Sequence, residues 1–368
     1  MNTKVLIFSN SLWNIFNFRL NLILRLKQSN YYIKLLAPFD NYYNQLSDYD
    51  FVHIKIDNHG LNPIVDFFLF LQLVFILIKE KPDCILTYTP KCNIYAGLAA
   101  RLTNTPIINN ISGLGSVFIN NNLTTQLVML LYKFALNKSL KVFFQNNDDL
   151  SLFIQKGLVN PNITGLLPGS GVDINRFTPI PLPSPRSSFV FLLVARMLKD
   201  KGILEFVTAA RALKAKYPHI ECQLLGFLDV KNPTAVSSEE MSAWVNEGVV
   251  NYLGTSDSVV DYLRLADCVV LPSYREGTPR SLLEAASVGK PIITTDAVGC
   301  REVVDEGYNG FLCEPRNAED LTAKMERMLL LPEADRLKMG VNSREKAVRQ
   351  FDEKIVIDKY VEVIRGLG

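Results

Sequence analysis

The sequence predicts an α/β protein of two Rossmann-like domains, each built on a parallel sheet, with the sheets facing a central cleft. Three observations carry that prediction. Short, continuously apolar runs alternate with helix-length stretches; the alternation stops at a proline-rich segment and starts again; and 368 residues exceed one ordinary core but suit two. Continuous apolar strands separated by helices indicate a parallel sheet covered on both faces.

In the first half the strand runs are Lys4–Phe8, Ile33–Ala37, Phe51–Ile56, Cys84–Thr87, Pro106–Ile111 and Val142–Gln145. Helical patterns separate most of them, at Phe18–Gln28, Pro63–Glu80, Ile94–Leu102 and Leu123–Asn137. Pro179, Pro181, Pro183 and Pro185, with Pro168 upstream, read as a stiff extended linker. Beyond it the strands are Phe189–Val194, Glu221–Leu225, Val249–Leu253, Cys268–Leu271 and Pro291–Thr294. Their helices are Ile203–Lys216, Glu239–Glu247, Val259–Leu265 and Ser281–Val288, followed by Ala318–Leu330, Ala334–Arg349 and Glu353–Arg365. The domains are therefore placed at 1–176, rejoined by a C-terminal helix 351–368, and at 177–350. Ligands of open α/β sheets bind beyond the carboxyl ends of the strands, so two such domains create a cleft.

Composition narrows the class. Hydrophobic content of 48% and charged content of 21% exclude a disordered or fibrous chain. Residues 1–180 carry 15 Lys/Arg against 10 Asp/Glu and the remainder 24 against 27, so the halves are about +5 and −3. A basic first half suits an anionic surface such as phospholipid headgroups or a lipid diphosphate, or is an ordinary solvated surface. The six cysteines (84, 92, 222, 268, 300 and 313) show no paired spacing, which fits a reducing compartment and no zinc site. Lys4–Phe8 breaks at once into Ser9-Asn10-Ser11, so no secretory signal is expected. Ile64–Ile78 is apolar but for Asp66 and Gln72 and is too short to span a bilayer, which takes about 20 residues. A buried helix is expected there, with a helix lying in a membrane interface as the alternative.

The strongest chemical signal is Glu276-Gly277-Thr278-Pro279-Arg280-Ser281-Leu282-Leu283-Glu284, between a strand and a helix. Gly277 allows close backbone approach, and the amides of Thr278, Arg280 and Ser281 at the helix start suit an anion. Glu276 is placed to accept hydroxyl hydrogen bonds, and Glu284, two turns on, to hold a second diol. Pro279 removes one amide from this nest. Arg196 and Lys201, after the second domain's first strand, are placed to neutralise a diphosphate.

With those residues in view, the chain resembles the retaining GT-B glycosyltransferases of family 4. The resemblance rests on Glu276…Glu284, on Arg196 with Lys201-Gly202, and on Gly171-Val172-Asp173…Phe177-Thr178-Pro179. Ala285…Gly289-Lys290-Pro291-Ile292-Ile293 and Asn309-Gly310-Phe311-Leu312 extend it. It implies that Arg196 and Lys201 hold the donor diphosphate and that Glu276, with the amides after it, holds the donor sugar. Glu284 then holds the ribose, and the backbone near Ser256 faces the base. Catalytic roles thus fall to Glu276, Arg196 and Lys201, and donor contacts to Ser256, Gly277, Thr278, Arg280, Ser281 and Glu284. The second domain becomes the nucleotide-sugar side and the first the acceptor side.

A narrower resemblance, carried by Trp13-Asn14…Phe16-Asn17-Phe18-Arg19, Ser112-Gly113-Leu114-Gly115 and Pro272–Pro279, is to enzymes that extend undecaprenyl-diphosphate-linked sugars. Among these are α-1,3-N-acetylgalactosaminyltransferases of bacterial glycan assembly. It implies acceptor contacts at Asn10, Trp13, Asn14, Arg19, Ser112, Gly113 and Gly115, with Arg19 on an acceptor phosphate or anchoring its helix. The expected donor is a UDP-sugar and the expected partners are a lipid-linked saccharide and the inner membrane surface, with no nucleic acid, no cofactor and no essential metal. The expected location is the cytoplasmic face of the bacterial plasma membrane. A sugar-nucleotide epimerase or phosphorylase of the same fold, or a non-catalytic nucleotide-sugar-binding partner of an assembly complex, are the rivals.

The family commonly has a first-domain histidine after the strand corresponding to Pro106–Ile111. Here the stretch is Ile108-Asn109-Asn110-Ile111-Ser112, so Asn110 or Ser112 is the candidate substitute, and His53, His59 and His219 lie elsewhere. Asp48-Tyr49-Asp50 is read as surface and not as a metal motif. Gly113-Leu114-Gly115 lacks the third glycine of a dinucleotide fingerprint.

Overall fold

The computed structural model describes residues 3–57, 62–114, 123–181, 188–230 and 232–367. The chain divides into two compact units, Met1–Ser170 with Lys354–Gly368, and Gly171–Glu353. Gly115, His59, Pro183 and Pro185 lie outside the described residues.

In the first unit the strands are β1 (Lys4–Phe8), β2 (Tyr32–Ala37), β3 (Asp50–His53), β4 (Cys84–Tyr88), β5 (Ile107–Ile111), β6 (Lys141–Phe144) and β7 (Thr164–Leu166). All pair in parallel, in the order β3-β2-β1-β4-β5-β6-β7, so the strand order reverses between β1 and β4. The helices are α1 (Leu12–Gln28), α2 (Pro63–Glu80), α3 (Pro90–Thr103), α4 (Leu123–Leu136) and α5 (Asn147–Gln155). On one face α1 and the C-terminal helix Glu353–Arg365 pack against Ile7 and Leu86; on the other α2 and α3 pack against Leu6, Phe8 and Ile85. Helix α4 joins α3 beside them, over Ile111 and Phe144.

Two differences from the sequence reading matter for function. The first helix, expected at Phe18–Gln28, starts at Leu12, so Trp13 and Asn14 lie in its first turn and not in a loop after β1. Ser11 caps it by accepting from the Asn14 amide at 3.1 Å, and buried Leu12 and Ile15 commit the first turn to the core. Helix α2 has the expected bounds, with Asn62 as N-cap and Pro63 in the first turn, but it is not buried. Asp66, Leu69, Leu73, Ile76 and Leu77 face inward, whereas Ile64, Phe67, Phe68, Leu71, Phe75 and Ile78 are exposed. Their spacing of three and four residues makes one continuous apolar stripe facing water. Helix α4 repeats the pattern with exposed Leu123, Leu127, Leu130 and Phe134. Among the described residues no helix is long and apolar enough to cross a membrane.

The second unit contains β8 (Phe189–Val194), β9 (Ile220–Leu225), β10 (Asn251–Tyr252), β11 (Cys268–Leu271), β12 (Ile292–Thr295) and β13 (Gly310–Cys313). They are parallel throughout, in the order β10-β9-β8-β11-β12-β13, so the reversal lies between β8 and β11. Its helices are α6 (Ile203–Lys216), α7 (Ser238–Asn246), α8 (Val259–Leu265), α9 (Arg280–Ser287), α10 (Ala318–Leu330) and α11 (Glu333–Gln350). The unit begins and ends side by side: Val172 donates to the Phe351 carbonyl at 2.8 Å and accepts from the Glu353 amide at 3.0 Å.

Candidate active site

In the second unit, the loops that follow β8 and β11 meet at the point where the strand order reverses, which is where open α/β sheets build ligand sites. After β8 the chain passes Ala195 and Arg196, makes a short 3₁₀ turn at Lys199–Lys201, and enters α6 through Gly202 at φ 74°. A Cβ at Gly202 would collide with the Pro272 carbonyl oxygen, so only glycine lets this turn lie against the loop leaving β11. The Tyr274 amide donates to the Asp200 carbonyl at 3.0 Å and ties the two loops together.

That contact brings Lys201 to Glu276, and the ammonium bonds to Glu276 Oε1. The side chains are 18% and 15% exposed, so the pair is shielded from bulk water yet open on one side. Ser273 Oγ donates to the same carboxylate oxygen at 2.9 Å. Behind the turn, the Glu276 amide donates to the Val298 carbonyl at 2.9 Å. Gly299, at φ 84°, has no room for a side chain because the Glu276 and Gly277 carbonyl oxygens occupy the position of its Cβ. Buried Cys300 lies beside Glu276, and burial pushes its thiol up to about 12, so it is no nucleophile at neutral pH.

The other second-unit candidates distribute as follows. Arg196 is exposed at the β8 end, and its side chain forms no hydrogen bond or ion pair among the described residues. Gly277 and Thr278 are buried in the turn that opens α9, whose N-cap is Pro279 with no side chain capping the first turn. Ser281 is half-buried in that turn. Arg280 and Glu284 are turned to each other, Nε to Oε1 at 3.1 Å. Burial pushes the Glu284 carboxyl up, against the lowering effect of Arg280 and Arg176. Ser256 lies apart from this cluster, beyond edge strand β10, where its hydroxyl accepts from the Ser258 amide at 3.0 Å.

In the first unit Asn10, Trp13, Asn14 and Arg19 lie by the equivalent reversal, between β1 and β4, and the β5 candidates lie one strand further along the sheet. Asn10, Trp13 and Asn14 are half-buried around the start of α1, with the Trp13 amide bonded to Asp40 at 2.9 Å. Arg19, one to two turns on, is 4% exposed, and its guanidinium lies over the Tyr88 ring, 3.9 Å from the centroid. Ser112 and Gly113 follow β5 and are half-buried. Asn110 is turned inward: its amide nitrogen donates to the Tyr360 hydroxyl at 2.9 Å. Of the two candidates for the histidine position, Ser112 is the one not committed to the interior.

The comparisons with known proteins identify the family. Residues 177–346 match the family described as glycosyl transferases group 1, and residues 4–146 match the glycosyl transferase 4-like family. The chain is 31% identical, over 95% of both proteins, to the N,N'-diacetylbacillosaminyl-diphospho-undecaprenol alpha-1,3-N-acetylgalactosaminyltransferase of Campylobacter jejuni. The chain belongs to the GT-B glycosyltransferases of family 4. This glycosyltransferase is also 26% identical to the UDP-Gal:alpha-D-GlcNAc-diphosphoundecaprenol alpha-1,3-galactosyltransferase of Escherichia coli, over 83% of this chain and 82% of that one. Its fold matches Anabaena HepE, crystallised with UDP-glucose, at TM-score 0.78 and 19% identity over 99% and 100% of the two chains. Sucrose-phosphate synthase from Thermosynechococcus elongatus gives TM-score 0.79 at 18% identity over 100% and 99%.

Two residues of this glycosyltransferase escaped the sequence reading. Ser273 and Gly299 both support the Glu276 turn, one by a hydrogen bond and one by having no side chain. Ser273 lies in the quoted Pro272–Pro279 stretch, two residues past the apolar strand, but had no role assigned to it; Gly299 carried no local signal, because its role depends on a loop more than twenty residues upstream.

Proposed function

We propose that this glycosyltransferase moves a hexosamine-type sugar, N-acetylgalactosamine by preference, from its UDP donor to a hydroxyl of an undecaprenyl-diphosphate-linked saccharide. The transfer retains anomeric configuration and serves bacterial surface polysaccharide or glycan assembly at the cytoplasmic face of the membrane. The observation that carries this reading is the Lys201–Glu276 pair at the strand reversal of the second unit, in a chain similar over nearly its whole length to an N-acetylgalactosaminyltransferase acting on a lipid diphosphate.

Glu276 neutralises Lys201 across the two loops. Donor binding transfers that ammonium to the diphosphate, where Arg196 and the start of α9 add positive potential. Glu276, released, accepts hydrogen bonds from the donor sugar. As the glycosidic bond breaks, negative charge builds on the leaving UDP, and these groups meet it without reorganising. A donor phosphate oxygen takes the proton of the attacking acceptor hydroxyl, so the reaction requires no side-chain base. Glu284 holds the ribose and the loop at Ser256 faces the base, while Gly277, Thr278, Arg280 and Ser281 shape the donor turn. Asn10, Trp13, Asn14, Ser112, Gly113 and Gly115 serve the acceptor, and Arg19 anchors α1 beneath them.

The test is incubation of the purified chain with a panel of UDP-sugars and lipid-diphosphate saccharides, read by mass spectrometry and by NMR of the product linkage. The expected result is one added N-acetylhexosamine in α linkage, with UDP released only when both substrates are present. An interconverted nucleotide sugar without acceptor would indicate an epimerase, and an inverted linkage would contradict retention.

A further inference from the structure

We infer that Phe39, with Tyr43, Phe51 and His53 around it, is a stacking platform for a non-reacting sugar of the acceptor, so that the saccharide this enzyme extends is longer than one residue. The inference rests on the acceptor reading proposed above and adds a subsite to it. Strand β2 ends at Ala37, two residues before Phe39, and Ala37 pairs with His53, the last residue of β3. The platform therefore stands at the carboxyl edge of the sheet, where open α/β sheets bind ligands. The order β3-β2-β1 puts His53 two strands, about 10 Å, from the β1 end that leads to Asn10 and Trp13. Asp40 ties the two places together: one carboxylate oxygen accepts from the Trp13 amide and the other from the Tyr42 amide, each at 2.9 Å. Tyr42 in turn meets Phe16 of α1, with ring centroids 5.3 Å apart.

The rings are fixed yet open. Phe39 stacks on His53, 4.6 Å between centroids and 15° between planes, and meets Tyr43 and Phe51 at 4.9 Å each. Phe51 packs on the core shared with α1, and buried Leu46 pins the short turn that follows Tyr43. Held by three rings, Phe39 is still 55% exposed and Tyr43 41%. An aromatic ring that its neighbours fix and the core leaves uncovered is a pre-organised contact surface. A sugar is the occupant whose chemistry matches. Its faintly positive C–H face lies against the negative face of an aromatic ring, while its hydroxyls need donors and acceptors at the rim. Asn41 and Asn44, both exposed, flank Tyr42-Tyr43 and offer such groups. Charge is not on offer: Asp40 is spent on two amides, Asp50 accepts from the Tyr32 hydroxyl, and exposed Asp48 and Lys55 offset each other. The platform thus suits an uncharged sugar and not the acceptor diphosphate. A second copy of the chain needs about 800 Å² per partner, whereas two half-exposed rings offer roughly 200 Å².

The experiment compares the full chain with Phe39→Ala and Phe39→Trp, using UDP-N-acetylgalactosamine and short-chain lipid-diphosphate acceptors that bear one or two N-acetylhexosamines. The wild type is expected to favour the two-sugar acceptor in kcat/KM, through KM. Phe39→Ala should lower that preference roughly three- to tenfold, and Phe39→Trp should keep it. Because the readout is a ratio, a general loss of folded enzyme does not move it. In parallel, saturation-transfer NMR with N,N'-diacetylchitobiose reads the platform without any transfer reaction, and its signal should fall at least about threefold in Phe39→Ala. Equal use of the two acceptors by the wild type would overturn the inference, as would a Phe39→Ala variant that keeps the wild-type preference or the wild-type chitobiose signal. Weaker UDP binding by Phe39→Ala in calorimetry would also overturn it, by giving the rings to the donor base. Absence of transfer from the wild type to either acceptor, beside a chitobiose signal that depends on Phe39, would instead count against the proposed function.

Discussion

The two units place their candidate residues at the same topological address and fill it differently. In the second unit the reversal between β8 and β11 holds opposite charges in contact, Lys201 with Glu276, in a pocket of loop backbone that only Gly202 and Gly299 permit. In the first unit the reversal between β1 and β4 holds Arg19, a cation with no ion pair among the described residues, buried over an aromatic ring, while the outer helices carry exposed phenylalanine and leucine. A shared fold therefore says where a site lies and not what it does. A cation is paired and half-open at one reversal and buried over a ring at the other.

The comparison breaks most sharply at Glu276. Glu276→Ala is expected to lower transfer at least about 10²-fold, as the loss of a contact made in the transition state does. Near-normal turnover would remove Glu276 from the site. Next comes Gly299→Ala, where a Cβ meets the Glu276 carbonyl; we expect a loss of about 1–3 kcal/mol in thermal or denaturant unfolding together with reduced turnover. A variant of full stability and activity would show that the turn does not need this support. Arg19→Ala sharpens the contrast: stability should fall by about 2 kcal/mol through lost packing and the cation–π contact, with UDP affinity unchanged. A stable Arg19→Ala that fails only with the diphosphate acceptor would return Arg19 to the acceptor phosphate.

The smallest effect concerns Glu80. Burial pushes its carboxyl up, but hydrogen bonds and charge from Lys4 and Lys34 outweigh that and leave it below the ordinary value. Its folded-state value being depressed, its contribution is present above the unfolded carboxylate range and is lost as pH falls through the folded value. Glu80→Gln should therefore cost about 1 kcal/mol near neutral pH and next to nothing in acid below the folded value, as read by denaturation at several pH values. An equal cost at both ends of that range would rule out the charge as the cause.

Legibility in the sequence divided along the same line. The strands next to each reversal, such as Lys4–Phe8 and Cys268–Leu271, were readable because continuous apolar runs have no other fate in a parallel sheet. Two edge strands were not: β7 is three residues with a glycine at its centre, and β13 (Gly310–Cys313) is four residues that open on a glycine, whereas β10 was expected within Val249–Leu253 and is only two residues long. Helix α5 was missed because its first turn, Asn147-Asp148-Asp149, has the composition of a turn; the Asn146 side chain caps it by accepting from the Asp149 amide at 2.7 Å. The second-unit site was legible because Glu276 to Glu284 is a local motif. The exposure of α2 was not, since its period is right for a buried helix and only the packing shows that one of its two apolar sides has no neighbour.

The central claim is that Lys201 leaves Glu276 to hold the donor diphosphate, and calorimetric titration of UDP into wild type and Lys201→Ala tests it most directly. A charge-assisted contact of about 1.5–3 kcal/mol predicts that the variant binds UDP roughly ten to a hundred times more weakly. Equal affinity in the two proteins would contradict the assignment.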